Sequence, residues 1–181
     1  MNPRGLRRQC AGGIVCALLF GCAGSPRQAP AESRFADREA VEEVLNRANM
    51  GFELGDPDLF AGAFAADAVY ELAEKGPVFG YDKLIYRGRD DIRTIITTRL
   101  DKARRTDPAT LSYDPATLRR YNRNSDDLII FTDATTARHT STWMVVMKTN
   151  VNIHISAIGR YDDTLRKLDG KWFIIRRTRT E

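Results

Sequence analysis

The sequence predicts an α+β domain: a curved, mainly antiparallel sheet with about three helices on one side, preceded by a targeting segment. Three observations point there. Apolar residues recur at helical spacing through the first half of the chain that follows the leader. Several β-rich runs, separated by tight-turn residues, fill the last third. The apolar run 12–20 (GGIVCALLF) is too short to cross a bilayer as a helix, which takes roughly 20 apolar residues.

The first helix is expected over 36–54. Val41, Val44, Leu45, Ala48 and Phe52 form its apolar stripe, Asp37 or Ser33 its cap, and Gly55 its stop. Asp56 then caps a short second helix with Pro57 at its first position, where a missing N–H costs nothing. Residues 67–72 (DAVYEL) read as a strand and 73–82, with Gly76, Pro77 and Gly80, as a loop. A short strand, 84–86, ends at Gly88. A third helix opens at Arg89 or Asp90 and runs to about 105, with Ile92, Ile95, Ile96 and Leu100 on one side. The stretch 107–124 reads as a long irregular connection. It holds DPATL twice, at too short an offset for a repeat architecture.

The remainder is β. Residues 127–132 form a strand, Asp133-Ala134 a tight turn, and 134–148 one long strand. Thr149-Asn150 turns into a strand over 151–163, bulged near Gly159 and continued by 164–168. Asp169-Gly170 is a hairpin signal before the last strand, 171–179. Alternation along this long strand places Ala137, His139, Ser141, Trp143, Val145 and Met147 on one mostly apolar face. His139 within that face is either a pocket residue or a satisfied core residue.

The chain has 181 residues, 43% hydrophobic and 29% charged, enough for one globular domain with a sizeable core. The formal charge is +4, but Arg4, Arg7 and Arg8 supply three of those charges and the rest is nearly neutral. Nucleic-acid binding is not expected, since it needs a clustered basic surface. Arg176, Arg177 and Arg179 read as a solvated strand end. All three cysteines, Cys10, Cys16 and Cys22, lie in or at the end of the leader. The domain is therefore expected to hold no disulfide, thiol nucleophile or thiolate metal site.

Leu19-Phe20-Gly21-Cys22 resembles the lipobox of bacterial lipoprotein signal peptides, with Phe20 standing where a smaller residue is usual. That resemblance implies lipidation of Cys22 and, with Ala23 rather than Asp after it, an anchor in the outer membrane facing the periplasm. The alternative is an ordinary secretory signal cut after Ala23 or Gly24. The expected organisation is a signal peptide over 1–21, a flexible tether over 22–34 and one domain over 35–181. The membrane is expected to be touched through the lipid only.

From about residue 36 onward the order of motifs resembles the SnoaL-like branch of the nuclear transport factor 2-like superfamily. The matching pieces are Phe52-Glu53 before Gly55-Asp56; the segment 64–71 (FAADAVYE); Tyr86-Arg87-Gly88-Arg89-Asp90-Asp91-Ile92; Asp133 to Arg138; and Gly159-Arg160-Tyr161 with Asp169-Gly170-Lys171-Trp172. The resemblance implies a cone, a strongly bent sheet wrapped over helices with a pocket between them. It also implies cofactor-independent lyase, isomerase or cyclase chemistry, or a non-catalytic module that binds a ligand or dimerises through the sheet face. In dehydratase-like members a Tyr-Asp pair ends the first helix; here Phe52-Glu53 stands there. His139 matches the position of a family histidine. A further histidine expected before that strand is missing, and Tyr121 or Asn124 is its candidate replacement.

Glu53 and His139 are thus the candidate catalytic pair, since acid–base work needs two groups whose environments separate their proton affinities. The alternative for each is structural: a solvated helix end for Glu53, a backbone partner for His139. Phe52, Tyr70, Tyr86, Tyr121, Trp143 and Tyr161 are candidate walls of a pocket for a small apolar molecule, and core packing is the competing role for each. His154 is the only other histidine and lacks a metal-site pattern around it; no metal or cofactor is expected. Nucleophile-elbow and phosphate-loop patterns are absent as well.

Overall fold

A computed structural model describes residues 31–73, 84–105 and 119–180. These form helices α1 (Ala31–Leu54), α2 (Pro57–Ala61) and α3 (Arg89–Arg105), and strands β1 (Phe64–Leu72), β2 (Ile85–Arg87), β3 (Arg119–Phe131), β4 (Thr136–Lys148), β5 (Ile153–Leu168) and β6 (Lys171–Thr180). The strands make one six-stranded sheet in the order β2-β1-β6-β5-β4-β3. Only the β1·β6 pair is parallel, so the expected α+β layout with a mainly antiparallel sheet holds. The leader, with Cys22, and both DPATL segments lie outside the described residues.

The helices pack on one face of the sheet. Val41, Val44, Leu45, Ala48 and Phe52 of α1 and Ile92, Ile95 and Ile96 of α3 join Phe64, Tyr70, Trp143, Leu165, Trp172 and Ile174 from the strands in one buried cluster. The expected apolar stripes of both helices are therefore the core-facing ones. Asp56 caps α2 as expected: its Oδ1 accepts from the N–H groups of Asp58 and Leu59 at 3.0 and 2.9 Å. Gly55 sits at φ +69°, a conformation that stops α1 without a Cβ penalty.

Several expectations change. α1 begins at Ala31, not 36, so it takes in the last residues of the stretch read as tether. Neither Ser33 nor Asp37 is its cap. Asp37 lies inside the helix and clasps the sheet, accepting from Lys167 Nζ at 2.6 Å and from Trp172 Nε1 at 2.9 Å. The stretch read as irregular up to 124 is already strand from Arg119, because its backbone pairs with β4 from Arg119 opposite Lys148 to Ser125 opposite Thr142. The strand expected over 151–163 and its continuation over 164–168 are one strand, β5, running from Ile153 to Leu168. Its register shifts do not centre on Gly159. Gly159 serves close approach instead: a Cβ there would run into the carbonyl of Thr180 and the ring of Trp143. Asp169 and Gly170 both have positive φ (49° and 80°), as a two-residue hairpin requires.

The β4 alternation is as read from the sequence: Ala137, His139, Ser141, Trp143 and Val145 are buried, and Arg138 is exposed. The opposite sheet face is open to solvent and carries Leu128, Ile130, Ile155 and Ile158, each more than half exposed.

Replacing Asp37 by Ala would leave the indole N–H of Trp172, itself 3% exposed, without its acceptor. Urea denaturation should show a loss of about 1–3 kcal/mol, the cost of stranding a buried donor.

Candidate functional site

One row of cross-strand partners runs through the sheet: Ile129 on β3, His139 on β4, Asp163 on β5, Arg177 on β6, Tyr70 on β1 and Tyr86 on β2. Its centre is charged. The side chain of Asp163 has no exposed surface. Arg177 Nε donates to Asp163 Oδ1 at 2.7 Å and Arg177 Nη2 to Oδ2 at 2.8 Å, a two-pronged ion pair. His139 Nδ1 meets the same Oδ2 at 2.9 Å. Its Nε2 meets Asp127 Oδ1, also at 2.9 Å.

Asp127 reaches that point because β3 is irregular there. Ser125 faces Thr142 and Leu128 faces Thr140, so Asp126 and Asp127 share the space opposite Ser141. Asp126 takes φ 58°, which an aspartate tolerates better than most residues. The side chain of Asp127 is 53% exposed, whereas that of His139 is 1% exposed. The chain from Asp127 to Arg177 thus leads from solvent to the centre of the core.

The charge states follow. Burial alone would lower the proton affinity of His139, but hydrogen bonds and charge from Asp163, with a hydrogen bond to Asp127, outweigh it, and its pKa rises above 6.5. With a carboxylate oxygen at each ring nitrogen, the protonated ring donates from both nitrogens. Burial would raise the pKa of Asp163; the charge and hydrogen bonds of Arg177 and the bond from His139 overcome this and hold it below 3.8. Arg177 stays charged, its affinity raised by Asp163 despite burial.

Aromatic rings enclose these groups. The guanidinium of Arg177 lies 4.3 Å from the ring centre of Tyr161, and that of Arg179 lies 3.7 Å from that of Trp143. The two arginines fill the interior so fully that the cavity they line with Phe52, Asn122, Asn124, Trp143 and Tyr161 is about 10 Å³, space for roughly one water. Outside it lies an open cleft of about 510 Å³ between α1 and β3, within the range of small-molecule sites. Leu45, Met50, Glu53, Asn122, Asn124, Asp127 and Ile129 are among its walls.

The sequence-derived candidates distribute as follows. Glu53 is half-buried and lines the cleft. His139 does not; its partners are Asp163 and Asp127, and Asp127 is the group that faces the cleft. Phe52, Trp143 and Tyr161 meet at the small inner cavity. Tyr70 and Tyr86 are buried in an aromatic cluster, edge to face at 6.3 Å between ring centres. Tyr121 is 37% exposed and points with Arg123 to the outer side of β3, while Asn124 lines both the cavity and the cleft. His154 is exposed and bonds Asn152.

Asp127, Asp163 and Arg177 were not among those candidates. Arg177 and Arg179, read as a solvated strand end, are buried; only Arg176 is on the surface, paired with Glu71 at 2.6 Å. The usable signals were faint: Asp163 alternates with Tyr161 and Leu165, and Arg177 with Arg179. Among the described residues, no group of three or more His, Cys, Asp and Glu is arranged to hold a metal ion.

The architecture is an α+β sheet over helices with an open cleft between α1 and β3. The chain belongs to the SnoaL-like domain family, whose model matches residues 33–178. Among solved structures it is similar to a nuclear transport factor 2-like protein with a cystatin-like fold from Novosphingobium aromaticivorans. Identity is 15%, coverage 83% of this chain and 85% of that one, and the TM-score 0.63. A protein of the same organism named as a candidate scytalone dehydratase matches at 20% identity, 83% and 87% coverage and TM-score 0.57. A cystatin-like fold protein of unknown function from Nostoc punctiforme matches at 19% identity, 80% and 90% coverage and TM-score 0.59. A search of curated proteins finds no match.

Removing the guanidinium strands a buried carboxylate, so Arg177→Met should destabilise the fold by about 3–5 kcal/mol. Adding Asp163→Leu should recover much of that loss in the same urea titration.

The two pKa shifts set a pH window. The folded pKa of His139 lies above 6.5, so its contribution is complete below 6.5 and fades as pH rises through the raised value. The folded pKa of Asp163 lies below 3.8, so its contribution is complete above 3.8 and fades as pH falls. Both are whole between those values. Stability measured by thermal melting should decline on the alkaline side, and His139→Gln should flatten that limb.

Proposed function

We propose that the cleft between α1 and β3 is an acid–base site for a small molecule, of the dehydratase, isomerase or cyclase type. The observation that supports this most directly is His139, held between two carboxylates of which one, Asp127, faces the cleft. Asp127 is the group that touches substrate. It takes a proton from carbon next to a carbonyl, or returns one to a leaving oxygen. His139 acts through Asp127: its Nε2–H stabilises the carboxylate and shares the proton load. Asp163, pinned by Arg177, keeps the imidazole charged and oriented. Glu53 supplies a second carboxylate on the α1 wall. Leu45, Met50 and Ile129 offer the apolar part of a substrate its contact.

The chemistry needs no redox group and is read out by hydrogen–deuterium exchange at carbons next to the carbonyl of small ketone probes in deuterated water. Asp127→Asn should slow exchange by about 100-fold or more, since general acid–base groups contribute that much. Glu53→Gln should slow it too, and His139→Gln should shift its pH profile. Exchange at the wild-type rate in all three variants would remove the catalytic reading.

A second reading, a non-catalytic module of the same fold, is favoured by the filled interior and by Leu128, Ile130, Ile155 and Ile158 on the open sheet face. That face suits a second copy of the chain. Ile155→Glu should shift sedimentation toward monomer if it does.

We propose that the leader carries this site out of the cytoplasm. We propose a lipid anchor at Cys22, with the domain on the periplasmic side of the outer membrane, supported by the lipobox-like LFGC. Cys22→Ser should abolish labelling by radioactive palmitate and release the protein from membranes; continued labelling would refute the anchor.

A further inference from the structure

We infer that the cleft takes an amphiphilic amine, a molecule with an apolar body, a cationic nitrogen and a hydrogen-bond acceptor near it. This rests on the cleft being a ligand site, as proposed above, and names the chemistry it selects. Glu53 lines the cleft, is half-buried, and has no hydrogen-bond or ion-pair partner among the described residues. Glu42, about three turns back along α1, is already paired with Arg38 at 3.1 Å. The cation on the cleft wall, Arg123, has its guanidinium 5.7 Å over the Tyr121 ring on the outer side of β3. Glu53 has no ion-pair partner among the described residues and, with Asp127, outnumbers Arg123 on the cleft wall, which favours a cationic ligand over an anionic one.

A second observation comes from β3. Asn122 and Asn124 line both the cleft and the inner cavity, and the Nδ2 group of each is buried without a hydrogen-bond partner. A buried donor left unmade costs about 1–3 kcal/mol. A hydroxyl or carbonyl oxygen on the ligand would satisfy both amides from the cleft side. A hydrocarbon would satisfy neither the amides nor Glu53, so the apolar contacts of Leu45, Met50 and Ile129 account for only part of the wall.

The test uses the full-length chain in detergent and ligand-observed NMR titration with phenethylamine, phenylacetate and phenethyl alcohol, which share one apolar body. Phenethylamine should bind at least about tenfold more tightly than phenylacetate, equivalent to about 1.4 kcal/mol. Glu53→Gln should erase most of that preference, and its thermal melting point should match wild type because the side chain is half-exposed. Phenylethanolamine should bind better than phenethylamine, and Asn124→Leu should remove that gain. Equal or tighter binding of phenylacetate, an unchanged amine preference in Glu53→Gln, or no binding of any probe would overturn the inference. These affinities need no turnover, so a failed Asp127→Asn exchange experiment would remove the catalytic reading while leaving the amine preference standing or falling by itself.

Discussion

Asp163 carries a full negative charge at a point with no exposed surface, and three hydrogen bonds hold it there. Taking an isolated carboxylate that deep would be prohibitive. Its partners arrive because β4, β5 and β6 pair in a register that sets His139, Asp163 and Arg177 side by side on the inner face. A slip of one residue would turn each of them to the opposite face. The ion cluster and the apolar residues on the same face, Ala137, Trp143 and Val145, therefore depend on one register. The rest of the interior is built around it: Tyr161 and Phe64 lie by the Arg177 guanidinium, and Trp143 lies by that of Arg179.

The same cluster divides the space under the helices in two. Where a cone of this fold could hold a deep pocket, the two arginines occupy the inner end and reduce it to a cavity of about 10 Å³. What remains for a ligand is the outer cleft, walled by α1 and β3. The link between these compartments is the Asp127–His139 bond, made by an irregularity in β3 that aims one aspartate at the core from a solvated position. One hydrogen bond thereby joins a carboxylate on the cleft wall to the charged cluster in the core.

Much of the architecture was legible in the chain. The stripe from Val41 to Phe52, the Asp56-Pro57 restart, the alternation in β4 and the Asp169-Gly170 hairpin each rest on local spacing, which sequence displays directly. Glu53 was singled out through the family resemblance, which puts an acid at the end of the first helix, and it lines the cleft. The partners of His139 were not. Arg177 sits in a run of three basic residues that a solvated strand end explains equally well, and Asp163 follows another aspartate in a polar stretch. Asp37 looked like a cap because helix ends favour it; its clasp on Lys167 and Trp172 joins residues 130 and more positions apart, which no local pattern records.

The sequence by itself determined the element types, their order, the inward face of each helix and of β4, and the family resemblance, because these depend on periodicity and turn chemistry over a few residues. Tertiary structure alone decided which polar side chains become core. Burying Arg177, Asp163 and His139 is tolerable only when all three meet within hydrogen-bond distance. That meeting is set by pairing between β4, β5 and β6, with Asp127 added by the irregular turn of β3.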